Sequence, residues 1–221
     1  VAVNHPVGGS IPSPGAIFLR VSKLLMKSLK WILLVPVLVF FFVWVGHRKN
    51  MQTLETLPKL IQIPAFELKN QDGALYGNKN LLGRVTLVNF IFTSCPTVCP
   101  LLTQKMKEIT KEVSNPSIQF LSISVDPEND SPEVLKKYGD KFGVDWSRWN
   151  FVTGPLEKIS EVVVKGFKIV FIRDTKDILE ITHGEHFVLV DKQGTIRAYR
   201  MISDEESKKE VLRLLEQLAK E

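Results

Sequence analysis

The chain has 221 residues and a formal charge of +5, with 44% hydrophobic and 24% charged residues, an ordinary globular composition that excludes collagen-like and wholly disordered classes. The charge alone would suit a nucleic-acid binder, but its location decides otherwise. Arg20, Lys23, Lys27, Lys30, Arg48 and Lys49 sit in residues 1–49, where no Asp or Glu occurs, whereas the remainder holds 23 basic and 24 acidic groups. The body is close to neutral, and no nucleic-acid partner is expected.

Residues 1–28 begin rich in Gly, Pro and Ser, without helical or strand period, and read as a disordered extension. Met26 opens a short basic segment abutting an apolar run, so translation is expected to start there and the residues before it to be artefactual. Trp31 to Val45 carries no charge. With Gly46 added, such a run at about 1.5 Å per residue gives roughly 24 Å, short of a ~30 Å hydrocarbon core, so flanking Lys and Arg must snorkel. No small-residue cleavage pattern follows; His47, Arg48 and Lys49 stand there instead. Residues 29–47 are therefore expected to be an uncleaved transmembrane signal-anchor, residues 48–60 a linker, and residues 61–221 the working domain.

That domain reads as alternating strands and helices. Arg84–Phe92 is a buried-type strand, followed by a Cys/Pro turn and a helical pattern over Pro100–Val113 with Leu101, Leu102, Met106 and Ile109 on one face. Ile118–Val125 is a second strand. Ser131 as N-cap and Pro132 at the first helical position open a helix over Glu133–Phe142. A short strand over Trp149–Thr153 precedes a helix over Pro155–Lys165. A hairpin joins Phe187–Asp191 to Thr195–Met201, and Ser203 with Glu206 predicts a capping box for the last helix. The fold class is α/β, a thioredoxin-like α/β sandwich with a parallel portion and an antiparallel hairpin.

A body of this size buries a core without disulfide staples, which leaves its cysteines free for chemistry. Cys95 and Cys99 are the only two, both in Thr93-Ser-Cys-Pro-Thr-Val-Cys-Pro100 where a strand gives way to a helix. Four residues apart, they can share one helix face. A helix N-terminus favours anions, so both thiols are expected to ionise below the usual thiol range. The pair could close a redox disulfide, attack a peroxide or hold a soft metal. A third donor is sought among four histidines: His5 and His47 lie in the tail and beside the apolar run, while His183 and His186 precede the hairpin strand. A thioredoxin fold presents that loop to its cysteine turn.

At this point the chain resembles the Sco/SenC family of copper-binding assembly factors over roughly residues 60–220. The resemblance is carried by Phe92-Thr-Ser-Cys-Pro-Thr-Val-Cys-Pro-Leu-Leu-Thr103, Ser124-Val-Asp-Pro-Glu-Asn-Asp-Ser-Pro132, Phe151-Val-Thr-Gly154 and a histidine ahead of the Asp191-Lys-Gln-Gly194 turn. It implies a thioredoxin fold, a membrane tether, and copper, as Cu(I) or Cu(II), held by Cys95, Cys99 and His183. His183 stands eleven residues before Gly194, as the family's histidine does; His186 stands eight before it. Ile181-Thr182 departs from the Val-Asp pair common in the family.

The resemblance further implies delivery of copper to the Cu(A) site of cytochrome c oxidase, on subunit II or another copper-accepting protein. A thiol pair outside the cytoplasm must be kept reduced, which predicts a thioredoxin-type reductant as second partner. The other readings are a thiol:disulfide oxidoreductase with Cys95 and Cys99 as its redox-active pair, and a copper or redox sensor. Asp126 and Asp130 are read as turn and cap residues before they are read as copper-loop carboxylates. Because residues 1–25 lack the Arg-rich pattern of a transit peptide, the expected location is a bacterial inner membrane, single-pass, with the domain outside the cytoplasm.

Overall fold

A computed structural model describes residues 36, 38–44, 57–169 and 186–221. The chain divides into two units, Val1–Glu55 and Thr56–Glu221. In the first, residues 36 and 38–44 are helical, and the side chains from Leu38 to Trp44 are exposed. No helix among the described residues is long and apolar enough to cross a membrane. The expected extension over 1–28 and most of the expected linker lie outside the described residues.

The second unit is one eight-stranded sheet built from β1 (Ile61–Gln62), β2 (Glu67–Asn70), β3 (Leu75–Gly77), β4 (Val85–Ile91), β5 (Ile118–Ser124), β6 (Trp149–Thr153), β7 (His186–Val190) and β8 (Thr195–Met201), in the order β1-β8-β7-β4-β5-β6-β2-β3. Its centre is β4, β5 and β6, paired in parallel. Every residue of β4 and β5 is buried, because a sheet covered on both faces favours mainly apolar strands; among the polar exceptions Gln119 donates to Thr86 at 3.0 Å and Ser122 to Asn89 at 2.6 Å. On the other side of β4 lies β7, antiparallel, with β8 returning beside it. The connecting turn is held by Asp191, whose carboxylate accepts from Gln193 N at 3.0 Å and Thr195 N at 2.9 Å, while Gly194 supplies φ +77°.

The sequence gives no periodic signal over residues 61–81, yet β1, β2, β3 and α1 (Asn78–Leu81) occupy that stretch. β1 edges the sheet against β8, and β2 joins β6 at the opposite side. Such short, half-exposed pieces are recruited by pairing with a finished sheet.

The longer helices follow the expectations in extent. α2 (Val98–Glu112) buries Leu102, Thr103, Met106 and Ile109, but Leu101, expected on the same face, is 60% exposed because it lies to one side of the stripe that Leu102, Met106 and Ile109 form. The helix touches β4 and the helices over Pro132–Phe142 and Glu205–Lys220. In α3 (Pro132–Phe142) the Ser131 hydroxyl accepts from Val134 N at 3.3 Å and Gly143 closes the helix in the left-handed region. α5 (Glu205–Lys220) starts one residue later than the predicted box. Asp204, not Ser203, accepts from Ser207 N at 2.8 Å, and the Ser207 hydroxyl receives Asp204 N at 3.1 Å; a carboxylate opposes the helix dipole better than a hydroxyl does. The helix expected over Pro155–Lys165 is realised as α4 (Leu156–Ser160) continued by a π-helical turn over Glu161–Gly166.

Aromatic rings fill both sides of the sheet. Tyr138 of α3 meets Phe151 of β6 at 6.1 Å, and Trp149 stacks on Phe151 at 5.3 Å. Phe90 meets Phe167 edge-on at 5.4 Å. With helix and ring contacts fixing all three parallel strands, the carboxyl ends of β4 and β5 form a rigid rim, which is where open α/β sheets place their sites.

Candidate metal centre

The chain leaves β4 at Ile91 and turns at once, with Cys95 N donating to Phe92 O at 3.2 Å. Two prolines, Pro96 and Pro100, bracket the start of α2. The N-cap of α2 is Thr97, whose side chain makes no capping bond. Cys95 takes that role: its sulfur accepts from Cys99 N at 3.4 Å. The Cys99 sulfur in turn accepts from Phe92 N at 3.4 Å. Both cysteines are free thiols, Cys95 half-buried and Cys99 only 3% exposed.

The two thiols differ in acidity, contrary to the expectation that both would ionise readily. For Cys95, desolvation acts against ionisation, but the N–H groups of Cys99, Thr97 and Val98 and the Cys99 thiol prevail and hold it below the usual thiol value. For Cys99, desolvation dominates. With the Cys95 and Asp130 charges nearby adding to it, the thiol is pushed up to about 12 despite the Phe92 bond. A helix start lowers a thiol's pKa only where the sulfur meets free N–H groups outside the core.

Asp130 is fully buried and braces the rim. Its carboxylate accepts from Thr93 N at 3.2 Å, from the Thr93 hydroxyl, and from the Ser124 hydroxyl at 2.6 Å. It therefore ties the end of β4, two residues before Cys95, to the end of β5. Burial raises its pKa, with Asp126 adding to the effect, against the bonds from Ser124 and Thr93. The turn-and-cap expectation is partly met: Asp130 N does close a turn on Asp126 O, while the side chain reaches across to the cysteine segment. Asp126 accepts from Asn129 at 2.7 Å through one oxygen, and its other oxygen is buried with no hydrogen-bond partner among the described residues. Tyr138 completes the surround, bonded to Thr103 at 3.0 Å and pushed up to about 12 by burial, with Cys99, Cys95 and Asp130 contributing.

Thr93 and Ser124 were not singled out from the sequence as site residues. A signal was present in the parallel pairing of the two strands, which sets the residues following Ile91 beside those following Ser124.

Of the predicted ligands, Cys95 and Cys99 are brought together. His183 lies outside the described residues. His186 opens β7, half-buried, opposite Met201. The Val88–Val188 pair puts it toward the same end of β4 from which the cysteine turn leaves. No group of three or more His, Cys, Asp and Glu forms a metal cluster among the described residues. The thiol pair nevertheless offers two soft donors on one short turn, a set suited to a thiophilic ion.

A profile of the SCO1/SenC family matches residues 55–220. The chain belongs to this family. Among curated relatives, the SCO1 protein homolog of Bacillus subtilis is 34% identical over 142 residues, 63% of this chain and 73% of that protein. The chain spans less than two thirds of the SCO2-like proteins of Rickettsia that it also matches. The solved structure of a SCO1/SenC family lipoprotein from Bacillus anthracis is 33% identical, with a TM-score of 0.69 over 76% of this chain and 99% of that one. BsSco, described with a disulfide switch and as a member of the Sco family of cytochrome c oxidase assembly proteins, is 28% identical, with a TM-score of 0.65 over 74% and 96%. ScoI of Bradyrhizobium japonicum, solved with copper bound, is 26% identical, with a TM-score of 0.56 over 70% and 99%. The thioredoxin-like α/β architecture expected from the sequence is that of the family.

Proposed function

We propose that this chain is a copper carrier in cytochrome c oxidase assembly. It takes copper as cargo on Cys95, Cys99 and His183 and hands it to the Cu(A) site of oxidase subunit II or another copper-accepting protein. The observation that carries this reading is the pair of free thiols at the sheet rim, joined through the Cys99 N–H to Cys95 sulfur bond. Sulfur donors favour Cu(I), and a low-coordinate set leaves room for a recipient's ligands to enter. Copper on ScoI and oxidase assembly by the Sco family support the extension to this chain.

The unequal thiols fit loading and release. Cys95 yields its proton readily and makes the first bond to incoming metal. Cys99 yields its proton only when a cation offsets the burial, so metal binding is coupled to release of the Cys99 proton. The third donor has to come from the loop before β7. His183 stands three residues before His186, within about 10 Å of chain, and His186 is the alternative donor. A disulfide between the cysteines would remove both soft donors, so a thioredoxin-type reductant is a required partner outside the cytoplasm. The disulfide switch described for BsSco supports this dependence. Residues 29–47 tether the domain to the outer face of a bacterial inner membrane, an arrangement supported by a relative described as a lipoprotein.

The test is titration of the reduced full-length chain in detergent with Cu(I) against a competing chelator. One copper per chain is expected, with affinity falling by about 100-fold or more in Cys95→Ser, Cys99→Ser and His183→Ala, and little in His186→Ala. Unchanged affinity in His183→Ala sinks the ligand set. Rapid reduction of protein disulfides by the metal-free chain, with no copper bound, would establish the oxidoreductase reading instead.

A further inference from the structure

The end of the sheet remote from the cysteines has a chemistry of its own. β4 carries seven residues, so at about 3.3 Å each roughly 23 Å separates its two ends. At the far end the Leu82–Gly83–Arg84 turn meets the β7–β8 turn, with Gly83 N donating to Lys192 O at 2.9 Å. Lys192 reaches the end of α5 through a 2.7 Å bond to Ala219 O. The first residues of the domain join from the side: Leu60 N donates to Ile196 O at 2.9 Å, and Arg197 binds the carbonyls of Leu57 and Pro58.

These contacts gather four cations, Lys59, Arg84, Lys192 and Lys220, around two exposed leucines, Leu60 at 46% and Leu82 at 55%. Asp191 and Glu221 share Arg197, and Glu216 accepts from Asn115 without losing its charge. With Arg197 counted, five cations face three carboxylates here, so this end is positive within a body where acids slightly outnumber bases. The cysteine rim is the reverse, with Asp126, Glu128 and Asp130 in its loop and Glu133 in the first turn of α3.

We propose that this basic, leucine-bearing end is a docking face for an anionic bilayer surface, which would hold the cysteine rim away from the lipid. Charge complementarity is the first argument: several Lys and Arg side chains set on a surface are drawn to anionic headgroups within about a Debye length. Chain length is the second. Val45 ends the apolar run and Leu57 begins the described domain, twelve residues on, at most about 40 Å of extended chain. On the proposed tethering, that reach is long enough for this end, where Leu57 enters the domain, to meet the surface that takes up residues 31–45. The leucines add the apolar contact that separates a docking face from a merely basic one.

The test uses the full-length chain with phosphatidylcholine vesicles and with 70:30 phosphatidylcholine:phosphatidylglycerol vesicles, reading acetylation of each lysine by mass spectrometry. Lys59, Lys192 and Lys220 are expected to react at least three-fold slower on the anionic vesicles, while Lys136 and Lys137 of α3 do not change. The protection should vanish in 0.5 M NaCl and in the Arg84→Glu/Leu82→Ser variant. Should that variant fail to fold, the salt arm on the unaltered chain decides. Equal lysine rates on the two vesicles would overturn the proposal and leave the face to an acidic protein. Slowing that extends equally to Lys136 and Lys137 would also overturn it, as unoriented adsorption.

Discussion

Cys95 and Cys99 stand four residues apart on one turn, and their surroundings are opposites. Cys95 lies outside the helix it caps, half-exposed, in the path of several N–H groups; Cys99 lies inside the first turn of α2, sealed against β4. The same helix start therefore makes one thiol more acidic and leaves the other dominated by burial. Placement relative to the core, a matter of about one helical turn, outweighs the dipole both share.

The largest effect that sharpens this contrast is alkaline. Folding holds the Cys99 thiol protonated up to about 12, so the stability it contributes is complete below the ordinary thiol range and is lost as pH rises toward the folded value. The loss is at most about 4 kcal/mol between pH 9 and 12. Urea melts of the reduced chain against Cys99→Ala should show the wild-type advantage shrinking across that window. Cys95, lowered in the fold, has the opposite sign: its contribution is present above the unfolded pKa and fades as pH falls through the folded one. The advantage over Cys95→Ala should therefore shrink on moving down from pH 9.

Alkylation probes the same contrast kinetically. Cys95 ionises below the usual thiol range, whereas Cys99, pushed up to about 12, is thiolate in about one molecule per thousand at pH 9. Iodoacetamide should label Cys95 about 100-fold faster or more, read by peptide mapping. Comparable rates would break the distinction.

Asp130 joins the two environments from behind. Asp130→Ala strands the Thr93 N–H and the Ser124 hydroxyl and should cost about 2–3 kcal/mol in denaturant melts. Asp130→Asn, which keeps the shape, should cost less, and it should ease Cys99 ionisation by removing a nearby charge. The smallest effect is Ser131→Ala, which removes the N-cap of α3 and should cost about 1 kcal/mol. Cys95 labelling should not change, because that cap does not touch the cysteine turn.

What the residues disclosed in advance has a pattern. The central strands were readable because burial on both faces favours runs rich in β-branched and aromatic residues, and α3 because Ser131 and Pro132 mark its start. β1 to β3 were not, since strands of two to four residues carry no period and exist only by pairing with β8 and β6. The start of α5 slipped by one because Ser203 with Glu206 and Asp204 with Ser207 are both acceptable caps, and only charge distinguishes them. At the site, residue type and spacing identified Cys95 and Cys99. The raised Cys99 value and the reach of Asp130 depend on depth below the surface, which spacing does not encode.

The bond from Phe92 N to the Cys99 sulfur has one more consequence. That amide lies just past the end of the central strand, and its acceptor is the atom that changes partners whenever the thiol pair is oxidised or takes up a soft cation. Sulfur lone pairs committed to a second sulfur or to copper are poorer acceptors, so the Phe92 amide should exchange its proton faster in those states. Hydrogen exchange at a single backbone position would then serve as a gauge of the site's chemical state, legible without touching either cysteine.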